Sequence, residues 1–293
     1  MRREFISIAG ASIILPSEVI AQTVSRRAVV AFLHGASQAA TLPRVERFLR
    51  GLREQGFIEG QNLSVVIRFL DGDMNRLPAH VLELIALKPD VLVAGSTNIA
   101  VAFKQQTSVI PIVAMALTDP IGQGLIDSLA RPGGNVTGVL YTVQGLPGKM
   151  LQLLLEIKPG LKRVGLLVAA NNVGGFLQAA DAEAAAASLG VTLVRVEINS
   201  HDDFSTAFQA LIQARIEAVL ATSATLILAE RSDFAARALA AGLATICTYP
   251  EVVEAGGLMS YGIDFKESYG RSGYFVGRIL KGEKPSDLIY AVS

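Results

Sequence analysis

Short β-branched segments alternate with longer amphipathic segments along almost the whole chain after residue 26, and this alternation constrains the fold most strongly. Ten segments are predicted to be strands: 28–33, 63–69, 90–95, 111–116, 135–141, 163–169, 191–198, 217–222, 243–249 and 257–262. Apolar residues at helical spacing occupy the intervening segments 42–56, 74–87, 99–108, 121–130, 178–190 and 229–242. Strands that alternate with helices form parallel sheets covered on both faces, so the sequence predicts an α/β fold.

The ten predicted strands fall into two series of five, separated by a change of pattern at residues 142–149. A chain of 293 residues is long enough for two domains of ordinary size. We therefore expect two doubly wound, Rossmann-like lobes, with lobe 1 at 26–140, lobe 2 at 141–262 and a return helix to lobe 1 within 263–293. Ligands bind outside the carboxyl ends of the strands in such sheets, so two facing lobes would enclose a cleft.

The amino terminus has the composition of an export signal. Arg2 and Arg3 precede an apolar stretch, and Val19 and Ala21 stand three places and one place before a possible cleavage point for signal peptidase. The two arginines also resemble a twin-arginine signal, and the sequence does not decide between the two export routes. An ordinary terminus with a short buried helix is the alternative. A signal peptide and short linker at 1–25 would make the mature protein periplasmic.

Composition and charge disfavour several kinds of partner. Lys and Arg together number 26, Asp and Glu also number 26, and no basic stripe with interleaved aromatic residues occurs, so we expect no nucleic acid partner. The charged cluster at 44–54 is interpreted as the solvated face of an amphipathic helix. Cys247, the single cysteine, is expected to be an inert core residue. His34, His80 and His201 lack metal-ligand spacing, so no metal is expected.

The residues directly after the predicted strands sample the expected cleft, and they are mostly hydroxyls, amides and aromatic rings. The candidate ligand-binding residues are Ser37, Ser96, Thr97, Asn98, Asp119, Tyr141, Asn171, Ser223, Thr225 and Tyr249. Tyr141, Phe176, Tyr249 and Tyr261 are either an aromatic wall of the site or core residues. No nucleophile elbow, paired carboxylates, P-loop or dinucleotide-binding glycine pattern accompanies them. These loops favour a binding protein, without catalytic residues or a cofactor, over an enzyme.

The segment Gly95-Ser96-Thr97 joins a predicted buried strand to a helix and has two interpretations. Ser96 can be a plain helix N-cap, which contributes about 1 kcal/mol. The free N–H groups of the helix N-terminus, together with the hydroxyl, can instead hold an anionic ligand group such as a carboxylate. Asp119 also has two interpretations. It can open a turn before Pro120, or accept a hydrogen bond from a ligand ammonium or hydroxyl.

Four blocks of the chain resemble one known family. The longest is "KPDVLVAGSTNIAVAFKQQTSVIPIVAMALTDPIGQGLIDSLARPGGNVTGV" at 88–139. The others are "GFIEGQNLSV" at 56–65, "DGDMNRLPAHVLELIALKPD" at 71–90 and "VVEAGGLMSYGIDFKESYGRSGYFVGRILKGEKPSDL" at 252–288. Over nearly its whole length the chain resembles the ABC transporter substrate-binding proteins related to the tryptophan-binding TrpX group. Within these segments, the blocks "LARPGGNVTG" and "EAGGLMSYG" are specific to this family.

This resemblance implies a type I periplasmic-binding-protein fold, in which two lobes joined by crossing segments close on a ligand. It implies a small solute, typically an amino acid and often an aromatic one, whose carboxylate would lie at Ser96 and Thr97. The implied partners are the ABC permease subunits of the inner membrane, and the protein would act as a monomer. Two alternative functions remain open: a ligand-sensing module of the same fold for a signalling receptor, and a doubly wound enzyme.

The chain departs from the family pattern at two places. Many relatives have an acidic residue in the loop that corresponds to Ser223-Ala224-Thr225, so recognition of a ligand ammonium from that side stays open. The family also continues beyond the segment that matches "KPSDL", whereas this sequence ends in "IYAVS". We therefore expect one lobe to lack an edge strand and a capping helix. Hinges for lobe closure are expected near 139–145 and 262–265.

Overall fold

The first lobe is built on a parallel sheet with helices on both faces. The structure is a computed structural model that describes residues 26–141, 144–170, 172–262 and 264–288 and the strand Ala291–Val292. Its first elements are β1 (Ala28–His34), α1 (Gln38–Glu54), β2 (Leu63–Phe69), α2 (Leu77–Ala86), β3 (Val91–Ala94), α3 (Thr97–Gln106), β4 (Ile112–Leu117) and β5 (Val136–Leu140). Short 3-10 turns at Met74–Arg76 and Pro285–Asp287 complete the regular structure.

The second lobe repeats the same alternation of strand and helix. It contains α4 (Leu146–Ile157), β6 (Arg163–Ala169), α5 (Val173–Leu189), β7 (Thr192–Ile198), α6 (Asp203–Gln213), β8 (Ala218–Ala221), α7 (Thr225–Ala229), α8 (Arg231–Ala240), β9 (Ala244–Cys247), α9 (Pro250–Glu254) and β10 (Met259–Ser260). The chain then returns to the first sheet as α10 (Phe265–Leu280) and β11 (Ala291–Val292). In chain order, the first sheet ends at β5 before α4 begins the second lobe, and β10 ends the second lobe before α10 returns to the first.

Both sheets have the doubly wound strand order. The first runs β2-β1-β3-β4-β5-β11 and the second runs β7-β6-β8-β9-β10, and every pairing is parallel. The order of connection reverses between β1 and β3 in one sheet, and between β6 and β8 in the other. Loops diverge at such a switch point and leave a crevice at the carboxyl ends of the strands. The fold thus provides one crevice in each lobe.

Strand β1 illustrates why the sheets are buried on both faces. Its side chains alternate in direction, so Val30 and Phe32 pack with Phe48 of α1 on one face. Ala31 and Leu33 point to the other face and pack in the cluster that contains the α2 and α3 side chains. All four strand residues are fully buried. Apolar residues on both faces leave the polar loops at the strand ends as the surface on which a ligand can bind.

Glycines bring α10 into close contact with α1. A Cβ atom on Gly273 would overlap the backbone carbonyl oxygen of Phe48, and one on Gly51 would overlap the carbonyl oxygen of Gly270. The absence of side chains at these two positions lets the helix backbones touch. Because α10 follows the second lobe in the chain but packs on the first, the first lobe is formed by segments that are far apart in sequence.

The ten predicted strands are all present, with ends that differ by no more than two residues. The helix predicted at 121–130 is wrong, because this segment forms turns. Asp119 and Gly124 have φ angles of 49° and 64°, which are incompatible with a continuous right-handed helix. Leu125 and Ile126 are nevertheless buried. The spacing of the apolar residues in this segment therefore indicates which side chains are buried, but it does not indicate a helix.

The edge of the first sheet beside β5 is occupied by β11, which pairs with it in parallel. The expectation of a missing edge strand is therefore wrong for this edge. The expected core position of Cys247 is confirmed, since its side chain is buried, and burial raises the pKa of its thiol to about 12. Within the described residues, no helix combines the length and the apolar composition needed to span a bilayer.

Candidate functional site

A cavity lies between the two lobes at the carboxyl ends of their strands. The first lobe contributes His34, Arg44, Gly95, Ser96, Thr97, Asn98, Ala116 and Thr118, the second contributes Asn172, Gly174, Ser223, Thr225, Leu228 and Tyr249, and the crossings and α10 contribute Tyr141, Phe265 and Tyr269. The empty space among these residues, including its opening to solvent, is about 580 Å³. The cavity volume without this opening is about 50 Å³, so the two lobes lie close together over the site.

The N-terminus of α3 forms the floor of the cavity in the first lobe. Ser96 is the N-cap, and its hydroxyl accepts the N–H of Ile99 at 3.5 Å. The hydroxyl of Thr97 accepts the N–H of Thr118 at 2.9 Å and donates to the carbonyl of Ala116 at 3.4 Å. The side chains of Ser96 and Thr97 are thus engaged within the lobe. The positive end of the helix remains directed at the cavity that these residues line.

The N-terminus of α5 faces the same cavity from the second lobe. Asn172 caps this helix, and its side-chain oxygen accepts the N–H of Gly175 at 2.6 Å. A Cβ atom on Gly174 would lie 3.2 Å from the hydroxyl oxygen of Thr118 in the other lobe, so a glycine here allows close approach. The helices α3 and α5 are in contact across the lobes. Two positive helix ends therefore converge on one cavity.

Three aromatic rings form one wall of the cavity. Tyr249 stacks on Phe265 with ring centroids 5.4 Å apart, and Tyr141 lies 5.6 Å from Phe265. The phenol groups are anchored: Gln178 donates to the Tyr141 hydroxyl at 2.9 Å, and the Ser223 and Tyr249 hydroxyls are 3.1 Å apart. Burial raises the pKa of both phenols, so they are neutral donors and acceptors at physiological pH. The wall offers a flat apolar surface with hydroxyl groups at its edge.

Arg44 crosses from one lobe to the other. It lies on α1 and is 3% exposed, and its guanidinium bonds both carboxylate oxygens of Glu251 on α9 at 2.7 Å. The same guanidinium lies 4.9 Å from the ring centroid of Phe265 and 5.4 Å from that of Tyr249. Burial acts to lower the pKa of Arg44, but Tyr269 and Glu251 raise it above its ordinary value. The interpretation of 44–54 as a solvated face is therefore wrong for Arg44.

His34, at the end of β1, is a neutral residue of the cavity. Its Nδ1 accepts the N–H of Ala36 at 2.9 Å, so its Nε2 carries the proton and bonds the hydroxyl of Tyr269. Burial and the nearby Arg44 lower the pKa of His34 to about 3. Burial also raises the pKa of Tyr269 to about 12. Within the described residues, no three His, Cys, Asp or Glu side chains gather as metal ligands.

The structure brings most of the candidate residues together but not all of them. Those that line the cavity are Ser96, Thr97, Asn98, Tyr141, Ser223, Thr225 and Tyr249. Ser37 instead caps α1, where its hydroxyl accepts the N–H of Ala40 at 3.4 Å. Asp119 is exposed outside the cavity, and its carboxylate accepts the N–H of Gly122 at 3.1 Å, which is the turn interpretation. Asn171 lies outside the described residues.

Two residues of the possible aromatic wall lie elsewhere. Phe176 is exposed, with the guanidinium of Arg195 4.8 Å from its ring centroid, and Tyr261 is also exposed. Sequence reasoning left His34, Arg44, Thr118, Asn172, Gly174, Phe265 and Tyr269 out of the candidate residues, although all line the cavity. His34 and Thr118 directly end or follow strands and carried a positional signal. Arg44 and Tyr269 lie inside amphipathic helices, where nothing in the local sequence marks them.

Comparison with known proteins identifies the class. Residues 27–293 match the sequence profile of the family described as ABC transporter substrate binding protein. The chain belongs to this family, whose members bind solutes and are not enzymes. Its two parallel doubly wound lobes are those of type I periplasmic binding proteins.

Particular relatives are similar over most of the chain. A tyrosine-binding protein of Clostridioides difficile (strain R20291) is 25% identical over 258 residues, which are 87% of this chain and 74% of that protein. The crystal structure of a conserved domain protein from Vibrio cholerae has a TM-score of 0.83 and 27% identity, covering 92% of this chain and 90% of that one. An ABC domain from Streptococcus pneumoniae in complex with L-Trp has a TM-score of 0.83 and 24% identity, covering 91% and 89%.

Proposed function

We propose that this protein is the exported receptor of an ABC importer and captures a small carboxylate-bearing solute of the size and shape of an aromatic amino acid. The observation that carries the proposal is the cavity between the lobes. It combines two helix N-termini, which favour an anionic group, with an aromatic wall, which favours a flat apolar body. The solutes in the names of two relatives, tyrosine and L-Trp, have this shape.

Capture proceeds by closure of the lobes about the two crossings. The hinges are proposed near 139–145 and 262–265, and Gly145, with a φ angle of 77°, supplies backbone freedom at the first of them. A solute shifts the balance toward the closed form only by its greater affinity for that form. A cavity whose lining comes from both lobes provides this difference, because the open form offers each half of the site separately.

Export and delivery complete the proposed role. The leader predicted at 1–25, which lies outside the described residues, would direct the chain to the periplasm. There a single copy in the closed form would dock on the permease subunits of the inner membrane. Fractionation of cells that produce the full chain, with sequencing of the mature amino terminus, tests this step. Full-length protein that stays in the cytoplasm would contradict it.

Calorimetric titration tests the capture step. The purified protein is titrated with aromatic and aliphatic carboxylates, including amino acids, and with the primary amide of each. Hydrogen bonds to a charged group contribute about 1.5–3 kcal/mol each, so we expect each amide to bind at least about tenfold more weakly than its acid. Folded protein that gives no heat with any acid, or that binds acids and amides equally, would refute the proposal.

A further inference from the structure

The residues that line the cavity include a positively charged side chain but no negatively charged one among those that the structure describes. Among the described residues that line it there is no Asp or Glu, and its charged side chain is that of Arg44. The residues near the crossings and before α5 that the structure does not describe are Thr142, Val143, Asn171 and Ile263, and these are neutral as well. A ligand ammonium in this cavity would therefore meet hydroxyls, amides and carbonyls but no carboxylate.

The carboxylate of Glu251 does not supply the missing negative charge. Both of its oxygens are 2.7 Å from the guanidinium of Arg44, which uses them in a bidentate pair. Glu251 does not line the cavity but lines a neighbouring crevice with Thr248, Pro250 and Tyr261, and Arg44 lines both spaces. A cation in the cavity would have to compete with Arg44 for this carboxylate, and it would do so at the expense of a buried ion pair.

The remaining fixed charges oppose an ammonium. The N-terminal ends of α3 and α5 converge on the cavity, and the partial positive charge of each favours an anion and disfavours a cation. His34 is neutral and has Nδ1 occupied by the Ala36 N–H, so it has no acceptor left for a ligand. At the position where the family resemblance suggests an acid, Ser223 bonds the hydroxyl of Tyr249 and the side chain of Gln178.

We propose that the ligand is an organic acid without an ammonium group: a carboxylate with hydrogen, hydroxyl or oxo at the carbon that bears the amine of an amino acid. The carboxylate faces the converging helix ends, and a neutral substituent takes the hydroxyl partners that the wall provides. This inference rests on the proposed function and narrows its solute class. Because the solutes named for two relatives are amino acids, it also separates this chain from them in specificity.

Paired titrations test the inference on the unaltered protein. The pairs are L-phenylalanine with phenylpyruvate and 3-phenylpropionate, and L-tyrosine with 4-hydroxyphenylpyruvate and 3-(4-hydroxyphenyl)propionate. We expect the deaminated acid of a pair to bind about 10- to 100-fold more tightly, the range of one charge-assisted hydrogen bond. An amino acid that binds as tightly as its deaminated partners overturns the inference and leaves the proposed function standing. If no member of either pair binds, both fail.

A gain of preference provides the second test. Ser223→Asp introduces a carboxylate at the wall, and Ser223→Asn is its neutral control of almost equal size. We expect Ser223→Asp to shift the ratio of affinities toward the amino acid by at least tenfold relative to Ser223→Asn. If the two folded variants have the same ratio of affinities for the amino acid and the deaminated acid, the charge of the cavity does not determine which of the two binds, and the inference is overturned.

Discussion

The ion pair between Arg44 and Glu251 should control lobe closure, and Glu251→Gln tests this directly. The substitution keeps the volume of the side chain and one acceptor oxygen but leaves the guanidinium, 3% exposed, without a counter-charge. Removal of one partner from a buried pair costs about 3–5 kcal/mol, and the retained acceptor favours the lower end, about 3 kcal/mol. Because the two residues belong to different lobes, the whole cost falls on the closed form.

A cost of about 3 kcal/mol on the closed form corresponds to an affinity loss of about 100-fold, since each 1.4 kcal/mol is a factor of ten. Calorimetric titration with a ligand of the wild-type protein measures this loss, and small-angle scattering at saturating ligand reports the fraction of closed protein. The affinity should fall while the unfolding midpoint of the ligand-free protein, in which the lobes can separate, stays close to that of wild type.

Helix α1, which carries Arg44, also offers a matched control. Glu54 pairs with Arg50 on α1 at 3.0 Å, with both side chains more than half exposed. Glu54→Gln removes the same charge from an exposed pair, which contributes no more than about 0.5 kcal/mol, so its affinity should equal that of wild type. Equal affinities for Glu251→Gln and Glu54→Gln would refute the closure argument.

Four further substitutions have defined outcomes. In the folded protein the pKa of His34 is lowered from near 6.5 to about 3. As the pH drops below 6.5, His34 therefore takes up a proton in the unfolded chain but not in the folded one, and the free energy of unfolding falls. His34→Gln should remove about 1.6 kcal/mol of the stability loss between pH 6.5 and 5, measured by urea unfolding. Parallel pH curves for the variant and the wild type would contradict this. Gly273→Ala should destabilise the protein by about 1–3 kcal/mol through helix overlap, whereas Gly270→Ala, where a Cβ has room, should be neutral or stabilising by thermal unfolding. Gly35→Ala would place its Cβ 2.5 Å from the hydroxyl oxygen of Thr225 in the other lobe, so affinity should fall at unchanged stability of the ligand-free form, and unchanged affinity would count against closure.

The strands were predictable because each is a short apolar run that must be buried on both faces, and its ends are marked by polar or glycine residues. The same signal failed at 121–130. Leu125 and Ile126 have helical spacing and are buried, but Gly124 adopts a left-handed conformation that ends any helix there. Spacing reports which side chains are buried, whereas backbone conformation at single glycines depends on tertiary contacts that a local pattern does not contain.

The site was predictable to the extent that it follows the strand ends. Ser96 and Ser223 come directly after or close to a strand and line the cavity. Arg44 was missed because its partner Glu251 is 207 residues away, and a charged residue in an amphipathic helix is ordinarily solvated. Tyr269 was missed because its role depends on how α10 returns to the first lobe. Long-range pairing of this kind leaves no trace in the spacing of neighbouring residues.

The return of α10 to α1 also sets the order in which the lobes can be completed. From α4 to β10 the second lobe is one continuous stretch, so a chain emerging from the ribosome can finish it without later residues. The first lobe must wait for α10, and until then the apolar side of α1 and its strands stays uncovered. Domains fold as units during synthesis, and uncovered apolar surface is prone to aggregation. The lobe that is synthesised first is therefore the last to be finished, and its apolar surface is the one that stays open to aggregation until α10 has been made.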